Sequence, residues 1–284
     1  EDAQRRDFTV NALFYDPAKD EIVDYCDGLG DIKNRIIRVI GDPDTRMIED
    51  PIRILRALRL AHKLSFTIEP TLRAAMLANA SELTKSALPR RREEILKILR
   101  LDDPLMALQE CHDLGLLKHL APTLDEVFKS TETRLNFSSY MHRFHNIVGD
   151  PANPVELFAV LGLAFYRTMI EADPHKTQSV DDILGNTLLT SLFRDELGLF
   201  NLEQKYIAKA LHQQPELLKI GAETPRPPMV NNESFGVTLL MAYADHLISP
   251  SELFYWKKEY EKAIQKLRSR PSPRGRRFNR GPRR

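Results

Sequence analysis

The sequence predicts a mainly α protein that opens on a short mixed α/β segment. Three observations carry this expectation. Apolar residues recur at three- and four-residue spacing through most of 46–267, strand-like alternation is confined to the first 45 residues, and Pro70, Pro89 and Pro104 fall at breaks between periodic stretches. With 284 residues and 42% apolar content, the chain has material for about two domains with a sizeable core.

In residues 1–45, "ALFYD" and "EIVDY" flank the turn-prone "PAKD" and predict a hairpin, and "IIRVIG" predicts a further strand. That is too little strand to close a sheet of its own. From 46 to 120 the pattern is helical, in "IEDPIRILRALRLAHKL", "PTLRAAMLANASEL", "PRRREEILKIL" and "PLMALQECHDLGLLKHL". Helices continue from 121 to 267 in "VELFAVLGLAFYRTMIEA", "LEQKYIAKALHQQPELLKI" and the long stretch from Phe235 to Leu267, with a loop expected at "GAETPRPPMVNNES". No fixed-period repeat appears, so a solenoid is not predicted. Residues 268–284, rich in Arg, Pro, Gly and Ser, have almost nothing to bury and read as a disordered tail.

Composition excludes several classes. Two cysteines, Cys26 and Cys111, cannot build a disulfide framework or a four-thiolate zinc site, which fits a reducing cytoplasm. The apolar run "LFAVLGLAFY" is far shorter than the roughly 20 residues that span a bilayer. No signal peptide is visible, and a start at Glu1 inside an apparently structured element reads as a fragment or a processed chain. Charge is uneven. The tail carries eight arginines and no acid, so in a chain of net charge +1 the residues before it sum to −7. Bulk attraction to nucleic acid therefore belongs to the tail alone, which can engage phosphates or simply aid solubility.

The stretch "EDPIRILRALR", residues 49–59, carries the sharper question. Asp50 before Pro51 reads as a helix cap with proline in the first turn. Ile54, Leu55, Leu58 and Ala61 share one arc, while Asp50, Arg53, Arg56 and Arg59 cover the rest. This is either a core-facing helix with a solvated basic face or a surface that reads a ligand. Upstream, Arg5 and Arg6 beside Asp7 form either a plain ion-pair cluster or a phosphate fork next to a cation-binding carboxylate.

"EDAQRRDFTVNAL", "DYCDGLGDIKNRIIRVIGDP" and "EDPIRILRALRLAHKL", in this order and spacing, closely resemble the bacterial class II RNA nucleotidyltransferases. This family comprises poly(A) polymerases and tRNA CCA-adding enzymes. The resemblance is dense to about residue 120 and thin beyond. It implies a mainly α architecture: 1–45 as the C-terminal remnant of an α/β nucleotidyltransferase head, 46–120 as a helical neck that binds nucleotide and RNA, and 121–267 as an RNA-binding helical body. By similarity, Arg6, Arg56 and Arg59 contact the incoming nucleotide, chiefly its phosphates, and Asp50 with Arg53 reads its base. Adenine and cytosine present an amino donor beside a ring-nitrogen acceptor, and guanine and uracil the reverse, so an accepting Asp and a donating Arg select A and C. Asp7, matching the family's "RRDF", is the expected catalytic carboxylate, although it could instead orient a neighbouring arginine. Asn11 fits a nucleotide contact or a turn.

The resemblance also implies Mg²⁺ held by an Asp-x-Asp on a head strand behind a glycine-rich loop. The sequence shows no such pair in that context, so the chain as given is expected to be inactive. The implied activity is template-independent transfer of AMP from ATP to an RNA 3′ end. Poly(A) synthesis is favoured over CCA addition by the wording of "EDAQRRDF", the long helical body and the basic tail. The reading from another class is a non-catalytic RNA-binding protein. "CHDLGLL" and "MHRFHN" resemble fragments of metal sites, but neither His112 with Asp113 nor His142 with His145 has the further ligands such a site needs. Arg90, Arg91 and Arg92 form a run where the family usually has one arginine, which leaves open which of them is functional.

Overall fold

The computed structural model describes residues 1–148, 153–217 and 228–268. The tail expected to be disordered lies outside them apart from Arg268, as does the first half of the expected loop at 221–234; its second half forms a 3-10 turn at Pro228–Asn231.

The predicted hairpin forms. β1 (Leu13–Asp16) pairs antiparallel with β2 (Glu21–Asp24), setting Leu13 opposite Asp24 and Tyr15 opposite Ile22. Asp24 then turns its carboxylate onto the N–H groups of Gly28 and Leu29, seating the start of α1 (Gly28–Asn34). "IIRVIG" yields less strand than expected. Only β3 (Ile36–Ile37) forms there, parallel to β4 (Thr67–Ile68), with a single further bridge between Phe8 and Val39. Two residues suffice because Phe8, Ile37 and Val39 are buried against helices rather than against a sheet.

"IEDPIRILRALRLAHKL" is two helices, α2 (Pro43–Glu49) and α3 (Ile52–Leu64). An acid before proline starts α2, where Asp42 accepts from the Thr45 N–H. It starts α4 (Pro70–Ala78), where Glu69 accepts from Leu72, and, after α5 (Leu88–Leu99), it starts α6 (Pro104–Asp113), where Asp103 accepts from Met106. The capping role expected for Asp50 does not occur. Its carboxylate makes no bond to the first turn of α3, and only its backbone carbonyl accepts there, from Arg53 N–H. Two residues separate α2 from α3, and the side chain is turned toward Arg90 instead.

Short helices α7 (Leu117–Leu120) and α8 (Pro122–Phe128) lead into α9 (Thr131–Val148) and α10 (Pro154–Met169). Then come α11 (Val180–Gly185), α12 (Thr187–Thr190), a π-helical turn at Ser191–Glu196, α13 (Asn201–Leu217), α14 (Phe235–Ala244) and α15 (Pro250–Arg268). The "LFAVLGLAFY" run is the centre of α10 and is buried all round, so it forms core. Gly162 lets the Phe193 ring lie against that helix: a Cβ there would meet Phe193 Cζ at 2.5 Å. No described helix is long and apolar enough to cross a membrane.

One apolar core runs from Phe8 through α3, α5, α6 and α10 to Ala244, so the segments on either side of residue 120 share it. A second, smaller core gathers around Phe235 and Trp256, whose rings meet edge to face at 6.2 Å. Arg92 fastens α5 to the start of α13. It donates both Nη atoms to Glu203, at 2.8 and 2.6 Å, with its guanidinium between the rings of Phe158 and Phe200.

Candidate functional site

The basic face of α3 is not solvated. Ile54, Leu55, Leu58 and Ala61 are buried as the periodicity predicts, but Arg53 is also buried, at 9% exposure. Its charge is met by Asp7, which arrives from the first segment. Phe8 is fully buried, and backbone bonds from Thr9 N–H to Arg38 O and from Ile40 N–H to Asp7 O pin that segment beside α3. Arg53 Nε donates to Asp7 Oδ1 at 2.8 Å, and Arg56 Nη1 to Asp7 Oδ2 at 2.5 Å. One carboxylate thus holds two guanidinium groups one turn apart.

A second acid continues the chain of charges. Glu94 of α5, with a side chain only 3% exposed, accepts from Arg59 Nε at 2.8 Å, from Lys97 Nζ at 2.8 Å and from Arg56 Nε at 3.4 Å. Burial alone would raise both carboxyls. For Asp7 the bonds from Arg53 and Arg56 outweigh it, and for Glu94 those from Lys97 and Arg59, so both titrate below the ordinary carboxylate range. Arg53 also donates through Nη1 to Arg46 O, and Arg46 reaches Glu49 and the backbone oxygen of Arg6.

The residues singled out in the sequence therefore fall into three places. Asp7, Arg53, Arg56 and Arg59 share one network through Glu94. Asp50 lies one turn before Arg53, with Oδ2 taken by Arg90 Nη2 at 2.7 Å and Oδ1 buried without a hydrogen-bond partner. Arg6 stands apart, half-exposed, paired with Asp2 at 2.8 Å and lying 5.8 Å over the Phe14 ring. Asn11 is exposed. Arg59 additionally borders a cleft of about 1,230 Å³ between α3, α5 and α6.

Sequence reasoning missed Glu94, Glu49 and Arg46. Glu94 had one signal, an acid directly before the apolar "ILKIL" that nonetheless falls on the buried side of α5. His112 is bound to Asp125, at 2.8 Å, and stacks on Phe128. His142 is exposed, and the side chain of His145 lies outside the described residues. The Mg²⁺ that the family resemblance implies does not fit here. Both Asp7 oxygens accept from guanidinium groups, and among the described residues no three His, Cys, Asp or Glu gather to hold a metal.

Comparison with known proteins decides the family. The profile described as "Poly A polymerase head domain" matches residues 1–38, and that described as "Probable RNA and SrmB- binding site of polymerase A" matches 65–128. Poly(A) polymerase I of Salmonella typhi is 40% identical over 128 residues, covering 45% of this chain and 28% of the relative. Over these segments the chain matches the family of bacterial poly(A) polymerases and CCA-adding enzymes. Within it, the CCA-adding enzyme of Levilactobacillus brevis is 43% identical over 121 residues, covering 42% of this chain and 30% of the relative. That of Lactobacillus delbrueckii subsp. bulgaricus is 30% identical over 220 residues, or 74% of this chain and 53% of the relative. The chain thus spans from about a quarter to about half of these family members. Its fold matches the Bacillus stearothermophilus CCA-adding enzyme solved with CTP, at TM-score 0.61 and 21% identity, over 96% of this chain and 65% of that one.

Proposed function

We propose that this chain supplies the nucleotide-selecting and RNA-binding part of a template-independent nucleotidyltransferase that adds AMP from ATP to RNA 3′ ends. In this reading residues 1–45 complete a nucleotidyltransferase head, 46–120 form the selecting neck and 121–267 the RNA-binding body. The observation that carries it is the pairing of Asp50 and Arg53 one turn apart. Asp50 Oδ1 has no donor, and Arg53 Nη2 has no acceptor among the described residues. An acceptor on Asp50 and a donor on Arg53, three residues apart on one helix start, are the complement of the amino and ring-nitrogen edge of adenine or cytosine once the buried Oδ1 or its partner oxygen meets the base.

Asp7 acts in this scheme by holding Arg53 and Arg56 in place. Its two oxygens take Arg53 Nε and Arg56 Nη1, which leaves the outer Nη2 atoms for the ligand. Arg56 and Arg59 then face the triphosphate, and Arg6, the most exposed of the set, closes on it from the first segment. None of these roles requires a metal ligand from the described residues, where no three His, Cys, Asp or Glu gather.

The A and C edges are alike, so Asp50 and Arg53 leave the choice between them to pocket size. CCA addition is the second reading, favoured by relatives of that kind at similar identity. The deciding experiment incubates the full-length protein with RNA and single nucleotides. A homopolymer from ATP alone supports poly(A) synthesis, and a stop after C, C and A supports the second reading. In the same assay Asp50→Ala should lower the preference for ATP over GTP by about tenfold or more. A variant slower with ATP but equally selective would refute the base-reading role.

A further inference from the structure

The three-arginine run at the start of α5 splits into three separate tasks. Arg92 is buried on Glu203, and Arg91 points Nη1 at the carbonyl of Leu120. Arg90 alone turns toward α3, where its Nη2 donates to Asp50 Oδ2 at 2.7 Å. We propose that Arg90 is the positioning residue that sets the orientation of the Asp50 carboxylate, and thereby the selection of adenine or cytosine over guanine or uracil. This rests on the base-reading role given to Asp50 above.

The surroundings of Asp50 carry the argument. Its carboxylate is 17% exposed, and Oδ1 has no hydrogen-bond partner. It makes none of the capping bonds that fix Asp42, Glu69 and Asp103 at the other helix starts. Arg90 supplies the hydrogen bond to its side chain that the structure shows. Without that donor the carboxylate would be free to turn into the vacant capping position over the first turn of α3, where it would no longer present an acceptor to a base. Nor does Arg90 look like a structural tie. Its side chain is 49% exposed, and an ion pair that open to water contributes little to folding. Arg90 Nη2 leaves Oδ2 a second lone pair, so a base amino group can share that oxygen without displacing it.

The test measures kcat/KM for ATP and GTP on an RNA primer, with the full-length protein and three variants. Arg90→Met keeps the length of the stem and removes the donors. Arg90→Lys keeps one charged donor. Asp50→Ala is the control for the base-reading role itself. Arg90→Met should lower the ATP-to-GTP ratio about tenfold with an unchanged melting midpoint, the loss falling on selectivity rather than on the rate with saturating ATP. Arg90→Lys should restore most of the ratio, which a purely steric role for the stem would not give. If Asp50→Ala relaxes selectivity and Arg90→Met keeps the wild-type ratio, the role of Arg90 is overturned while the base-reading role stands. If Asp50→Ala leaves the ratio unchanged, the base-reading role fails and this inference falls with it.

Discussion

Glu94→Gln isolates the charge at the centre of the α3 network, since it keeps the shape and one acceptor oxygen while removing the negative charge. Breaking a buried ion pair costs about 3–5 kcal/mol because the partner is left uncompensated. Here the three partners differ. Lys97 is 44% exposed, and its contact is a surface pair contributing at most about 1 kcal/mol. Arg56 is at the edge of bonding distance and keeps Asp7. Arg59, 15% exposed, loses the acid it pairs with at 2.8 Å and dominates the loss. Because Arg59 is partly exposed and Arg56 keeps Asp7, the cost falls at or below the bottom of that range, about 2–3 kcal/mol, or a fall in melting midpoint of about 4–12 °C. Because the folded-state carboxyl of Glu94 titrates below its unfolded value, its contribution is complete above about pH 4.3 and is lost as pH falls through the folded value. Urea unfolding of both proteins at pH 7 and at a series of values below 4 should therefore show a gap that narrows with acid. A gap under about 1 kcal/mol at pH 7, or one that stays constant below pH 4, would refute the assignment of Glu94 as the charge partner.

Three other outcomes follow from the packing. Arg92→Lys loses the two-pronged contact with Glu203 and the stacking between Phe158 and Phe200, and should cost about 2 kcal/mol in denaturant unfolding despite the retained charge. Gly162→Ala places a methyl 2.5 Å from Phe193 Cζ and should destabilise by about 1–3 kcal/mol, an effect that Phe193→Leu in the same chain should partly relieve. Cys111 is fully buried, which pushes its thiol up to about 12, whereas Cys26 is only half-buried. A thiol reagent at pH 8 should therefore modify Cys26 alone in the folded protein, and both after unfolding.

What the sequence made legible is local. The apolar face of α3, the hairpin and the breaks at Pro70 and Pro104 all follow from spacing within a few residues, and acids before Pro43, Pro70 and Pro104 cap the helices that start there. Asp50–Pro51 has the same wording as those starts and behaves differently, because a partner forty residues away captures its carboxylate. No window of ten or fifteen residues contains that partner. The acids that meet Arg53, Arg56 and Arg59 are likewise 46, 49 and 35 residues distant, so a face that reads as solvated in isolation is enclosed in the fold. The family resemblance placed Asp7 and the α3 arginines together, but not the direction of their bonds. Both Asp7 oxygens accept from guanidinium groups of α3, a pairing no local spacing announces.

That direction has a consequence for how such a site can work. Arg53 and Arg56 are like charges one turn apart on a helix, which is mildly unfavourable by itself, and long arginine side chains lose up to about 2 kcal/mol of rotamer freedom each when ordered. Asp7 and Glu94 meet both costs in the ligand-free state, by fixing N–H groups of both guanidiniums. In the proposed nucleotide-binding role, the ligand would meet donors already ordered, and its binding free energy would not be spent on ordering them. Under the same proposal, selection would depend on three separate parts of the chain. The first segment brings Asp7, α5 brings Glu94 and Arg90, and α3 carries the arginines between them. A change that shifts any one of these relative to the others by about 1 Å should degrade positioning before it unfolds the protein.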